Sequence, residues 1–191
     1  MTLDATGNIF GVGYSSAFEL SPNGNGGWSP TVLHTFISRY FLGANPVGAP
    51  VIDKAGNFYG ATYRGGANKF GTIYKITFRK GKWREKALYS FTVPVGDGRN
   101  PTAGIVLDAA GNIYGTTFRG GRYDNGTVFE LVAPVGKGSY QEKVLWSFNG
   151  TDGRAPYTSL IPDNAGNLYG TTWGGGSGGY TGEGVVFKVA P

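Results

Sequence analysis

Four times along this chain the same phrase returns: Leu3-Asp4-Ala5-Thr6-Gly7-Asn8-Ile9-Phe10-Gly11, Ile52-Asp53-Lys54-Ala55-Gly56-Asn57-Phe58-Tyr59-Gly60, Leu107-Asp108-Ala109-Ala110-Gly111-Asn112-Ile113-Tyr114-Gly115 and Pro162-Asp163-Asn164-Ala165-Gly166-Asn167-Leu168-Tyr169-Gly170. The central glycines Gly7, Gly56, Gly111 and Gly166 are 49, 55 and 55 residues apart. A fixed period of this length means that one supersecondary unit is used four times, each copy burying a face against the next. Inside the phrase, Asp caps a turn through its side chain, Gly takes the positive-φ position and Asn tolerates left-handed geometry, so the phrase reads as a turn between two strands. Its spacing lacks the acidic ligand density of a calcium-binding EF-hand loop.

Each copy continues with a short strand: Phe18-Glu19-Leu20, Tyr74-Lys75-Ile76, Phe129-Glu130-Leu131 and Phe187-Lys188-Val189. Three copies end in another, at Val32-Leu33-His34-Thr35-Phe36, Ala87-Leu88-Tyr89-Ser90-Phe91 and Val144-Leu145-Trp146-Ser147-Phe148. With the apolar run before each Asp, the unit has four strands, A to D, of period-2 patterning. Four antiparallel strands per unit around a centre is the plan of a propeller. The expectation is an all-β chain, a small β-propeller of four four-stranded antiparallel blades with the last incomplete. It forms a single domain over 1–191, with blades near 1–48, 49–102, 103–156 and 157–191. Strands A to D in three copies and A to C in the fourth make fifteen.

Composition supports this reading. Glycine at 35 of 191 residues accompanies 12 Tyr and 12 Phe, which marks turns between strands rather than disorder. Without cysteine there are no disulfides, thiolate metal sites or cysteine nucleophiles, and a single histidine, His34, excludes a histidine triad within one chain. His34 stands in strand D beside its register-mates Tyr89 and Trp146 and reads as a packing residue. The net charge is +5, and the basic cluster Arg79, Lys80, Lys82, Arg84 and Lys86 reads as a solvated hairpin end, with no nucleic-acid partner. No apolar run approaches the roughly 20 residues of a membrane-spanning helix, so no membrane partner is expected.

The consensus Asp-x-x-Gly-Asn-Leu/Ile-Tyr-Gly-Thr-Thr-x-x-Gly-Gly, followed by Gly-Thr-Val-Phe-x-Leu, resembles the GloVer tandem repeat of bacterial, mostly exported, proteins. The third copy carries the resemblance most fully, through Gly115-Thr116-Thr117-Phe118-Arg119-Gly120-Gly121 and Gly126-Thr127-Val128-Phe129-Glu130-Leu131. The first departs from it, with Gly11-Val12-Gly13-Tyr14-Ser15-Ser16 and a shortened B-to-C loop. The resemblance implies a propeller and a secreted or periplasmic protein. Met1-Thr2-Leu3-Asp4 lacks the regions of a signal peptide, which by itself leaves two readings, a cytoplasmic protein or a processed, truncated or recombinant form of an exported one.

In a meander propeller the B-to-C and D-to-A loops emerge on one face, and variable loops over a rigid scaffold are where binding concentrates. Ligand-binding candidates on this face are Tyr40, Arg64, Arg99, Arg119, Tyr123, Arg154, Trp173 and Tyr180. Three functions fit. The first is recognition of a glycan, peptide or small molecule. The second is a Ca²⁺-dependent lactone hydrolase, opening for instance acyl-homoserine lactones, by similarity of plan to propeller lactonases. Asp97 and Asp152 would then be catalytic, and Asp124 and Glu183 would hold the Ca²⁺. The third is a structural repeat within a larger surface protein. Asp97-Gly98-Arg99-Asn100-Pro101 and Asp152-Gly153-Arg154-Ala155-Pro156 also read as plain turn chemistry, and the glycine-rich run Gly174 to Gly179 lacks the ending of a phosphate loop. The chain is expected to be a monomer, or a homodimer through an open blade edge.

Overall fold

The computed structural model describes residues 1–4, 6–36, 43–92, 96–179 and 182–191. These form seventeen β-strands in four antiparallel sheets arranged as a ring. Blade one holds β1 (Thr2–Leu3), β2 (Ile9–Val12), β3 (Ser16–Pro22) and β4 (Trp28–Thr35). Blade two holds β5 (Gly43–Ile52), β6 (Phe58–Gly65), β7 (Thr72–Arg79) and β8 (Lys82–Ser90). In blade three, β9 (Gly98–Pro101) and β10 (Val106–Leu107) both pair with β11 (Ile113–Gly120), followed by β12 (Thr127–Val132) and β13 (Gln141–Ser147). In blade four, β14 (Arg154–Pro156) and β15 (Ile161–Pro162) both pair with β16 (Leu168–Gly174), whose other edge carries β17 (Val186–Val189). Strand A is thus split in two blades, and counting each split strand once restores the fifteen of the repeat pattern. The chain is all-β, with the arrangement of a four-bladed propeller.

Local chemistry explains each element. In the A-to-B turn of blade two, Asp53 Oδ1 accepts from the backbone N–H groups of Ala55 and Asn57, both at 2.9 Å. Its Oδ2 accepts from Asn57 Nδ2 at 2.8 Å and from the Tyr59 hydroxyl at 3.1 Å. Asp163 repeats the set with Ala165, Asn167 and Tyr169. The Tyr of the phrase therefore closes the same turn that the Asp opens. Burial pulls the Asp53 carboxyl upward, but the hydrogen bonds from Asn57, Tyr59 and Ala55 outweigh it and hold the group below its ordinary value.

The glycine that ends the phrase answers to strand C. Gly11, Gly60, Gly115 and Gly170 each stand opposite an aromatic on that strand, respectively Phe18, Tyr74, Phe129 and Phe187. A methyl group added at Gly115 would meet the Phe129 ring at 2.7 Å, well inside contact distance. The ring fills the space a side chain would need, which is why all four copies pair a Gly here with an aromatic on strand C.

Three apolar clusters fill the spaces between blades. One joins Tyr59, Ala61 and Ile73 of blade two to Ile113, Phe129 and Leu131 of blade three; the others join blade one to two and three to four. Near the axis the breaks in the A strands touch, and Gly48 packs against the backbone at Gly104 with no space for a Cβ. Gly104 N in turn donates to Ser159 Oγ at 3.0 Å, and Thr102 Oγ1 to Pro156 O at 3.0 Å.

One reading from the sequence changes. Gly98–Pro101, expected as loop, is the inner half of strand A, and Arg154–Pro156 is its counterpart. Asn45, Asn100 and Ala155 sit at φ of 56°, 57° and 50°, each just before a proline. At Asn100 and Ala155 this left-handed kink aims the N–H at the preceding blade: Asn100 N donates to Phe70 O at 2.8 Å and Ala155 N to Asn125 O at 2.7 Å. A Pro-terminated turn signature therefore serves here as a blade-to-blade clamp.

Candidate functional site

Strand B ends in a device that fixes the loop face. The buried Thr62 hydroxyl donates to Arg64 O at 2.9 Å and lies 2.8 Å from Thr72 Oγ1; Thr117 does the same with Arg119 O and Thr127 Oγ1, both at 2.8 Å. Thr172 donates to Gly174 O at 2.9 Å. The second Thr of the Gly-Thr-Thr stretch thus sets the backbone at the two residues that follow it.

The residue directly after this threonine is aromatic in blades two, three and four, as Tyr63, Phe118 and Trp173, and the first blade places Tyr14 at the same point. Three of the four, Tyr14, Tyr63 and Phe118, line a central cavity of about 500 Å³ together with Asn45, Val47, Arg64, Thr102 and Tyr157. Every blade contributes. Val47, Thr102 and Tyr157 share one repeat position, directly after the strand-A prolines Pro46, Pro101 and Pro156. The Arg64 guanidinium stands 6.0 Å from the centre of the Tyr63 ring, and among the described residues no carboxylate pairs with it.

Beside this cavity lies a second, of about 150 Å³, at the junction of blades three and four, lined by Phe118, Arg119, Asp124, Asn125, Arg154 and Ala155. Asp124 Oδ1 is 2.5 Å from Arg99 Nη2 and accepts from Gly120 N at 2.8 Å; Arg119 Nη1 is 3.8 Å from its Oδ2. Burial pulls the Asp124 carboxyl upward, but the Gly120 N–H and the two guanidiniums more than compensate and keep it below its ordinary value. Arg154 stands 5.3 Å from the centre of the Trp173 ring.

The residues singled out from sequence therefore separate. Arg64 lines the central cavity. Arg119, Asp124 and Arg154 line the smaller one, and Arg99 reaches it through Asp124. Tyr123 is exposed under Arg122, and Trp173 is exposed on the rim. Tyr40 and Tyr180 lie outside the described residues. Asp97 accepts from Thr92 N at 2.6 Å and from the Tyr89 hydroxyl at 3.3 Å; Asp152 accepts from Asn149 N at 2.8 Å and from Trp146 Nε1 at 3.1 Å. Both carboxylates hold together the turn that follows strand D. Glu183 lies in the last B-to-C loop, bridged to Gly175.

Among the described residues, no three or more His, Asp or Glu side chains converge as a metal site would require, and two guanidiniums already flank Asp124. Around the two cavities the described residues offer stacking, hydrogen bonding and positive charge.

Tyr14, Val47, Thr102, Phe118 and Tyr157 escape a residue-by-residue reading. The constant offset of 55 linking positions 63, 118 and 173 was the available signal. The chain matches no curated protein significantly. Over residues 2–191 it matches the model of the Gloeobacter/Verrucomicrobia repeat, and with nearly its whole length covered and a four-bladed arrangement to go with it, the chain belongs to that repeat family.

Proposed function

We propose that this propeller is a recognition module that holds an acidic saccharide, such as a uronic acid unit of a glycan, in its central cavity. The observation that carries the reading is one cavity built from all four blades, each contributing an aromatic ring (Tyr14, Tyr63, Phe118 and Tyr157), with the Arg64 guanidinium, which no carboxylate of the described residues pairs, in its wall. A volume of about 500 Å³ falls in the roughly 300–1,000 Å³ range of small-molecule sites. Aromatic rings give flat apolar platforms for the C–H face of a sugar, Asn45 and Thr102 give hydrogen bonds to hydroxyls, and Arg64 matches a planar carboxylate with two parallel donors. Arg99 and Arg119 nearby, with Asp124 between them, add positive charge that favours anions.

Titration calorimetry with neutral and uronic-acid oligosaccharides of equal length tests this. The acidic series is expected to bind at least ~10-fold more tightly, Arg64→Gln to remove the difference, and Tyr63→Ala to weaken both series. Equal affinity for the two series, or acidic binding untouched by Arg64→Gln, would overturn it.

A further inference from the structure

The hairpin of β7 and β8 carries six cations, Lys75, Arg79, Lys80, Lys82, Arg84 and Lys86, against the single acid Glu85, as large a net charge as the +5 of the whole chain. Register sorts these side chains. Lys75 stands opposite Lys86, Thr77 opposite Arg84 and Arg79 opposite Lys82, so five of the cations share one face of the hairpin. Glu85 is turned to the other face, where it accepts from Gly43 N and meets His34. Lys75 has Asp53 at 3.8 Å and the centre of the Tyr59 ring at 4.7 Å. Arg79, Lys82, Arg84 and Lys86 are exposed, and no carboxylate of the described residues pairs with them.

The repeat does not require such a face. At the same positions blade three sets Glu130 opposite Lys143, with Lys143 Nζ 3.2 Å from Glu130 Oε2, and Val132 opposite Gln141. Blade one sets Glu19 opposite Thr31 and Ser21 opposite Ser29. Like charges directly across a strand pair repel and destabilise it. Blade two accepts two such pairs where blades one and three have none, and an anion laid across the face would turn that repulsion into attraction.

Shape and position narrow the anion. The strip is two strands wide, with Lys82, Arg84 and Lys86 following one another roughly 7 Å apart along β8, which suits a chain charged along its length. It lies on the flank of blade two that is turned to blade three. Ile73, two residues ahead of Lys75 on that face, belongs to the apolar cluster between these blades, and Tyr140 of blade three packs against the same cluster. A flat bilayer does not enter the side of a blade that faces its neighbour. A nucleic acid brings bases that need rings to stack on, whereas the exposed Phe78 lies on the opposite face with Trp83, ring centres 5.1 Å apart.

We infer that this strip on β7 and β8 is a second binding site, which holds an anionic stretch of an extended acidic polysaccharide. In naming a polysaccharide among charged chains, the inference rests on the acidic saccharide assigned to the central cavity; the strip itself shares no residue with that cavity.

The test measures anisotropy of fluorescein-labelled polygalacturonate in the Arg64→Gln background, which silences the cavity. Saturable, salt-sensitive binding is expected, weakened at least ~10-fold by Lys82→Glu together with Lys86→Glu. Lys86→Glu alone puts a Glu opposite Lys75, as Glu130 stands opposite Lys143, so its urea midpoint is expected to rise while its binding falls. A merely structural role would not move the two in opposite directions. Binding of short uronic-acid oligosaccharides to the chain with Arg64 intact is expected to be unchanged by both charge reversals, which separates failure of the strip from failure of the cavity. Polymer binding untouched by the double reversal, a lowered midpoint for Lys86→Glu, or tighter binding of polyglutamate, oligouridylate or phosphatidylserine vesicles than of polygalacturonate would each overturn the inference.

Discussion

Thr116 shows how a repeat carries its costs unevenly. Its Oγ1 is buried without a hydrogen-bond partner among the described residues, while blade two places Ala61 at the same position. A hydroxyl stripped of water and given nothing in return destabilises the fold, and a methyl of the same size removes that penalty. Thr116→Val is expected to raise stability by about 1–2 kcal/mol, read from urea unfolding with an unchanged m-value. Ala155 bears a different cost. A non-glycine residue at φ 50° before a proline is strained, and it persists because its N–H is spent on the neighbouring blade. Asn100, at the matching place, gains more from the same kink, since its Nδ2 also donates to Tyr63 O at 2.9 Å.

Between elements, the junctions of successive D strands carry a repeated carboxylate. Glu85 on β8 accepts from Gly43 N at 2.9 Å and lies 2.9 Å from His34 Nε2. Glu142 on β13 accepts from Gly98 N at 3.3 Å and from the Tyr89 hydroxyl at 3.2 Å. The packing role expected for His34 and Tyr89 thus includes a polar tip that reaches the next blade. Burial, with Asp97 alongside, pushes Glu142 up to about 9. From the ordinary glutamate value up to about 9, the folded protein holds a proton that the unfolded chain has released. Rising pH therefore removes stability across that window, and the contribution is complete only below it. Glu142→Gln keeps a donor toward Asp97 without a titration. The variant is expected to lose less stability than the parent between pH 6 and 9, by on the order of 1 kcal/mol, measured as urea midpoints across that range.

At the scale of the whole molecule, the periodic phrase and its strands were legible because a turn cap, a glycine under a ring and a period-2 strand each leave a fixed residue type at a fixed place. The inner halves of strand A were not, because Asp-Gly followed three residues later by Pro is written the same way whether it ends a sheet or clamps two. The cavity was only partly legible. Arg64 stands out by type, but Val47, Thr102 and Tyr157 share a position and no chemistry, so only the three-dimensional register brings them together. Sealing is uneven around the ring, and protection should follow it. Amide exchange of Val186–Val189 is expected to run at least ~100-fold faster than that of Thr127–Leu131, which has a strand on each side.

The direction of sealing also sets an order of events. Phe36, Phe91 and Phe148, at the ends of the D strands, pack on Tyr74, Phe129 and Phe187 of the blades that follow, so a chain leaving the ribosome already holds the cap for blades two, three and four when those blades emerge. Folding can therefore run in the direction of synthesis, each later blade closing on a neighbour that already carries the residue it needs.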